Sequence, residues 1–404
     1  MSNLRYLSSG ESHGRALTGI IEGIPSGLTI NSDEIDRELK RRQGGHGRGG
    51  RMKIESDRVQ ILSGVRKGKT TGSPISLLIE NKDWQNWQDV MSVEPGRKTG
   101  DAGKAVTSPR PGHADLAGAI KYDHKDIRNI LERSSARETA MRTALGAVAK
   151  IFLSENGIET GSHVVRIGSV GYRRPGDGVK DEDLLSIFKR AEKSPVRCAD
   201  TGASARMVRV IDRALRDGNS LGGVFEVFVT GLPVGLGDHT QWDSRLEGMI
   251  GQAMMGIQAI KGVEIGDGFG MASMSGSDVM DEIFYRGQKK NKKIEKTCGF
   301  YRKTNHAGGI EGGMTNGMPL LVRAVMKPIP TQRRPLRSVD IIGKKSLEAA
   351  YERSDTCAVP AAAVIGEAMV ALVIADAFLE KFGGDSMKET GRNYRGYLRQ
   401  IKRF

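Results

Sequence analysis

The chain has 404 residues, with 62 Lys and Arg against 48 Asp and Glu, for a net charge of +14. Its 53 glycines are nearly twice the usual share of about 7%, but with only 13 prolines and no three-residue period they exclude a collagen-like chain. Mixed charge and recurring apolar runs exclude a disordered chain. The three cysteines, Cys198, Cys298 and Cys357, are odd in number and far apart. They exclude a disulfide framework or a CxxC zinc site and fit a reducing cytoplasm. The first residues, MSNLRYLSSG, contain no apolar targeting segment. The positive balance implies an anionic partner, either nucleic acid or a small phosphorylated molecule.

In chain order, the apolar or alternating runs Leu17–Ile24, Val59–Leu62 and Ile75–Ile79 predict strands separated by Gly/Pro turns. Between the first two, residues 32–42 predict a helix, with Asp33 and Glu34 in the first turn and Lys40, Arg41 and Arg42 in the last. Residues 84–107 are polar and Gly-rich and read as a mobile loop. Three- and four-residue apolar spacing predicts a long helix from about Asp126 to Leu153. Residues 179–217 read as a charged helical insertion, Val224–Val234 as a strand and Trp242–Ile260 as a helix. The most apolar stretch, within Ala361–Phe382, carries Glu367 and Asp376, so it predicts a buried core helix and not a membrane span, closed by Gly383-Gly384. Residues 392–404 read as a basic surface tail. Strands and helices without regular βαβ alternation predict an α+β fold, in one large domain spanning 1–404.

Several segments carry chemistry. Residues 45–50, GHGRGG, satisfy G-x-G-x-x-G, but a helix precedes them and a strand-like MKIES follows, the reverse of a dinucleotide-binding context. What remains is a Gly-rich loop among Arg41, Arg42, Arg48 and Arg51, suited to a phosphate or carboxylate; the plainer account is a solvated basic turn. The segment GVRKGKT at 64–70 misses the phosphate-loop spacing by one residue and is followed by Thr-Gly-Ser-Pro, so a basic hairpin is the better account. His13 in GESHG and His113 in RPGHADL, beside Arg110 and Asp115, sit in glycine-flanked loops and suit proton transfer; the alternative is a turn histidine bonded only to backbone. No HxxxH or HExxH spacing occurs, so no metal site is expected. The run ERSSARET at 132–139 places two arginines and two serines in a helix that is otherwise apolar on one face, which is costly unless they bind each other or a ligand. Residues 307–319, KPIPT at 327–331 and RSD at 353–355 are weaker signals, with Asp355 able to cap a helix or act as a base.

Taken together and in this order, GESHG, RRQGGHGRGGRM, RPGHADL, ERSSARET, GGIEGGMTNG, KPIPT and RSD resemble the chorismate synthase family, and they span almost the whole chain. The resemblance implies one domain with helices sandwiched between antiparallel β-sheets, assembled as a homotetramer. It implies anti 1,4-elimination of phosphate from 5-enolpyruvylshikimate 3-phosphate to give chorismate, with reduced FMN required although no net redox change occurs. By resemblance His13 protonates the departing phosphate and His113 protonates or stabilises the reduced flavin. Asp355, near Arg353, assists removal of the C6 proton. Arg42 and Arg48 match dinucleotide (NADP) or substrate phosphate contacts. Arg133, Ser134, Ser135, Gln258, Ala259, Gly312, Lys327, Pro328, Ile329, Pro330, Thr331 and Arg353 match flavin contacts. His46 stands where a tyrosine is more usual. The absence of a dinucleotide fingerprint in context implies an external flavin reductant. Two other readings remain open at this point: a nucleic-acid-binding protein, which the scarcity of aromatics disfavours, and a phosphate-loop kinase.

Overall fold

The structure, a computed structural model, describes residues 4–49, 56–95, 105–172, 180–285, 296–349 and 355–404. Two antiparallel sheets face each other across a layer of helices. The N-terminal sheet has the strand order Arg5–Ser9, Ala16–Glu22, Ile75–Glu80, Val59–Ile61. The central sheet has the order Ile260–Ile265, Leu320–Met326, Gly223–Thr230, Glu159–Ile167, Val170–Gly171. The helices are α1 (Ser32–Gln43), α2 (Asp115–Lys121), α3 (Arg128–Ser134), α4 (Thr139–Glu155), α5 (Asp181–Glu192), α6 (Thr201–Arg216), α7 (Leu246–Met255), the single turn α8 (Gly276–Val279), α9 (Val359–Phe382) and α10 (Met387–Ile401).

Helix α9 is apolar all round, the pattern of a helix enclosed by protein. By length and composition it could cross a bilayer, yet here it lies in the core with almost every residue buried. The central sheet packs on one side of it, and α1, α4 and α7 pack around the rest, with α4 in turn covering the N-terminal sheet. One continuous apolar cluster therefore runs from Leu17 and Leu77 through Leu145 and Phe378 to Phe225 and Val322. The crossing of α4 and α9 is close because Gly146 lacks a side chain: a Cβ there would lie 2.3 Å from the Cβ of Ala368.

A buried ion cluster interrupts the apolar layer. Glu367, in the middle of α9 and 0% exposed, accepts hydrogen bonds from both Arg41 terminal nitrogens (2.9 and 2.7 Å), Lys150 Nζ (2.7 Å), Arg197 (3.1 Å) and Ser162 Oγ (2.6 Å). Glu38 and Glu192 balance the remaining charge on Arg41, Lys150 and Arg197. Burial would raise the Glu367 carboxyl, but Arg41, Lys150 and Arg197 outweigh it and hold the group well below the usual carboxylate range.

Three expectations are corrected. The helix expected over 126–153 is broken at Ser135, whose extended backbone (φ −62°, ψ 141°) separates α3 from a turn and then α4. Serine side chains compete for backbone hydrogen bonds, and here Ser135 Oγ accepts from the Arg137 amide at 3.3 Å. The helix expected over 242–260 ends at Met255, because Gln258 and Ala259 turn the chain into the strand Ile260–Ile265, with Ala259 at φ 65°. The segment expected at 179–217 as a charged helical insertion is helical, as α5 and α6, but it is built into the fold: α5 covers the outer face of the central sheet through Leu184 and Ile187 against Phe228, and Arg197 reaches Glu367. The basic tail at 392–404 lies largely at the surface, as expected; it is the end of α10, capped by Ser386 and anchored by Tyr394, whose ring meets Phe378 and Phe382 at 5.0 and 4.9 Å. The expected hairpin at 64–70 is present, as Val65–Arg66 paired with Lys69–Thr70.

Replacing Glu367 with Gln keeps its volume but leaves three cations short of one buried counter-charge, so unfolding free energy at neutral pH should fall by about 3–5 kcal/mol. Because the native carboxyl is depressed, its contribution is complete above its ordinary value of about 4.5 and is lost as pH falls below that. Urea unfolding across that range should show a shallower acid-side loss in E367Q than in the parent chain; parallel curves would contradict the assignment.

Candidate active site

The layers leave a cavity of about 520 Å³ between the N-terminal loops, the α3–α4 break and the start of α9, within the usual range for small-molecule sites, about 300–1,000 Å³. Its lining draws on distant parts of the chain, and the fold explains each arrival. Helix α1 ends at Gly44, so Arg42 lies in its last turn and Arg48 on the glycine loop beyond. The break at Ser135 turns Ser134, Ser135 and Arg137 toward the cavity. Antiparallel pairing of Ile260 with Met326 sets Gln258-Ala259 beside Lys327, whose amide donates to the Ala259 carbonyl at 2.9 Å.

His13 is held by Glu132. Its Nδ1 lies 2.9 and 3.1 Å from the two carboxylate oxygens, and its backbone amide donates to Oε2 at 2.8 Å. The imidazole stacks on Trp87, with ring centroids 3.9 Å apart and planes inclined by 24°. His113 has a parallel arrangement: Nδ1 meets Asp115 Oδ1 at 2.5 Å, while Arg110 Nε donates to Asp115 Oδ2 at 2.8 Å and Arg110 Nη1 to Thr331 Oγ1 at 3.2 Å. Burial would raise the Asp115 carboxyl, but hydrogen bonds from His113 and Arg110 outweigh it and keep the group well below the usual range. Asp355 accepts from Arg48 Nη1 and from the Gly49 amide, both at 2.7 Å. Lys327 Nζ donates to the Gly112 carbonyl, tying the His113 loop to the 327–331 turn.

Cations outnumber carboxylates on the walls. Arg42, Arg48, Arg110, Arg137 and Lys327 all line the cavity, while Asp355 is the carboxylate among the lining side chains. Asp57 lies buried behind, 2.6 Å from Arg137 Nη1 and 3.7 Å from Arg42 Nη1. Burial, opposed by Asp57 but reinforced by Arg48 and Arg137, pushes Arg42 down to about 10. The guanidinium stays protonated at neutral pH, so the same imbalance favours a bound anion.

Most residues expected at the site converge there: His13, Arg42, Arg48, His113, Ser134, Ser135, Gln258, Ala259, Lys327, Ile329, Pro330, Thr331 and Asp355 line the cavity. Arg133 does not; its guanidinium donates to the carbonyls of Ser8 and Gly10 at 2.7 and 3.0 Å and braces the loop that carries His13. Pro328 is absent from the lining. Gly312 sits in the Ile310–Thr315 hairpin beside the first residues of α7, whereas Gln258 follows its last. A ten-residue helix separates them by about 15 Å. Arg353 and Arg51 lie outside the described residues. Arg41 points the other way, into the Glu367 cluster. His46 also faces away, 2.7 Å from Asp212 on α6. Trp87 and Asp57 were not expected. A scarce tryptophan in a polar stretch is a signal that could have found the first; nothing in the sequence around Asp57 marks it.

A family model described as chorismate synthase matches residues 4–379. A chorismate synthase from Symbiobacterium thermophilum is 57% identical over 99% of this chain and 100% of its own length. That from Desulforudis audaxviator is 56% identical over 99% and 98%. A crystal structure of a chorismate synthase superposes with a TM-score of 0.79 at 45% identity, covering 99% of each chain.

If the cationic wall binds anions, inorganic phosphate at 100 times its Kd should raise the unfolding free energy by about 2.7 kcal/mol. Arg48→Ala should remove most of the accompanying rise in Tm, and Arg392→Ala, on the exposed face of α10, should leave it intact. Equal loss in both variants would place the bound phosphate elsewhere.

Proposed function

The chain belongs to the chorismate synthase family and is a carbon–oxygen lyase that converts 5-enolpyruvylshikimate 3-phosphate to chorismate, and we propose that this reaction takes place in the cavity between His13, His113 and Asp355. One observation carries the placement: two carboxylate-held histidines and one cavity-facing carboxylate share a wall of five cations. The substrate has a phosphate and two carboxylates, and a net positive enclosure is what such a polyanion requires.

The same cavity suits reduced FMN. Leu131, Ile257, Met326, Ala361 and Ile365 supply apolar surface for a flat ring, and the cations supply partners for its phosphate. Gln258 Oε1 and Arg42 Nη1 are buried with no hydrogen-bond partner among the described residues, an acceptor and a donor that a ligand would satisfy. Ser134, Ser135, Ala259, Lys327, Ile329, Pro330 and Thr331 would complete the cradle. When bound, reduced FMN would supply electron density to the elimination.

The elimination breaks the C3–O bond and the C6–H bond. The C6–H electrons form C6=C1, the C1=C2 electrons move to C2=C3, and the C3–O pair leaves with phosphate. His13 gives a proton to the departing phosphate. Arg42, Arg48 and Arg137 stabilise the charge that develops there. Asp355, fixed by Arg48 and the Gly49 amide, assists removal of the C6 proton. His113, with Nδ1 committed to Asp115, keeps Nε2 as the nitrogen that would protonate or stabilise a reduced flavin held here.

An external reductant fits the glycine loop at 44–49, which follows a helix and so lacks dinucleotide-binding geometry. The free thiols of Cys198, Cys298 and Cys357 suit a cytoplasmic setting. A homotetramer of one-domain chains is supported by Leu7 and Ile20, 75% and 47% exposed, which pair on the outer face of the N-terminal sheet.

Anaerobic assay with dithionite-reduced FMN and 5-enolpyruvylshikimate 3-phosphate should produce chorismate absorbance. His13→Ala and Asp355→Ala should each lower kcat by about 10²–10⁴-fold while oxidised FMN still binds within a few-fold. Normal turnover in either variant removes its assigned role.

A further inference from the structure

The loop that carries His13 is gripped from one helix. On α3, Arg133 takes the carbonyls of Ser8 and Gly10, and Glu132 takes the ring and backbone amide of His13; the carbonyl of Glu132 also accepts from the Ser12 amide at 3.0 Å. The Glu132 side chain is 1% exposed, so its charge is committed inside the protein. A buried carboxylate against one imidazole nitrogen selects the tautomer with the proton on that nitrogen and fixes the ring's rotation. The second restraint is Trp87, which lies flat on the imidazole and is itself fixed by its Nε1–H donating to Asp83 at 3.0 Å and by the Arg128 guanidinium 5.5 Å from its ring.

We propose that Glu132 and Trp87 are positioning residues for His13: the carboxylate holds Nδ1–H and the indole holds the ring plane, so that Nε2 is the nitrogen that delivers the proton in the cavity. The proposal rests on the reading of His13 as the acid. Two separate restraints serve one ring because an imidazole hinged at a single hydrogen bond still swings about it. The carboxylate sets which nitrogen faces the cavity, and the stack removes the remaining rotation. The His113–Asp115 pair shows the first device without the second, since among the described residues the ring contacts of His113 include no aromatic partner.

The test uses the full chain without cofactor, labelled with ¹⁵N-histidine. In mildly alkaline solution the parent should show His13 as the Nδ1–H tautomer, and E132Q should shift it toward Nε2–H, because the amide can donate to Nδ1. With reduced FMN and substrate, E132Q should lose about 10–100-fold in kcat with KM changed only a few-fold. Trp87→Ala should lower kcat while keeping the tautomer, and Trp87→Phe, which preserves stacking, should restore most of it. An Nε2–H tautomer in the parent chain overturns the proposal even if E132Q fails to fold. So does an unchanged kcat in an E132Q protein whose tautomer has shifted, or a Trp87→Ala enzyme as fast as the parent. Full turnover in His13→Gln would instead sink the acid role of His13, leaving the tautomer result as it stands.

Discussion

Glu367 sets the relation between the two halves of the molecule. A carboxylate in the middle of an apolar helix is tolerated only when its charge is met, and meeting it draws in Arg41 from α1, Lys150 from α4 and Arg197 from the loop before α6. Hydrophobic burial alone would let these elements slide along α9. Directional ion pairs do not, and they fix α1 in particular. One residue past Arg41, the backbone delivers Arg42 to the opposite side, into the ligand cavity. Ala361, Ala362 and Ile365 in the first turns of α9 line that cavity, within two turns of Glu367. On α1 a structural arginine and a cavity arginine are thus neighbours, and on α9 the buried carboxylate follows the apolar cavity wall.

The cavity itself follows an economy of paired charges. Asp115, Glu132 and Asp57 sit behind the histidines and arginines and orient them without neutralising the surface the ligand sees. Asp355 alone among these carboxylates reaches the lining, and it is pinned by an arginine and an amide. An enclosure so built stays positive enough for a substrate with three acidic groups, yet keeps His13, His113 and Asp355 in single orientations.

Much of this was legible in the sequence, for reasons that differ between regions. Helix α1 was readable because its acidic start, basic end and Gly44 are local signals. Helix α9 was readable because twenty apolar positions need enclosure. The motif residues converged because each lies on a loop or helix end, where chemistry-bearing side chains collect. The break at Ser135 and the end of α7 at Met255 were not readable, since apolar spacing continues across both and tertiary contacts decide. Trp87 escaped notice because its partner, His13, is distant in sequence. Arg133 carried the right charge at the right place along the chain, but its guanidinium faces the loop and not the ligand.

The position of α9 in the chain has a consequence for biosynthesis. Both sheets precede it; α4 already covers the inner face of the N-terminal sheet, but the central sheet and the outer side of α4 lack their cover until Val359–Phe382 is available. A ribosome-bound chain would therefore carry a half-open central sheet, and Arg41, Lys150 and Arg197 without their Glu367 partner, through most of its synthesis. The apolar face of the central sheet is thus the surface that a nascent chain leaves uncovered longest, until this one helix emerges.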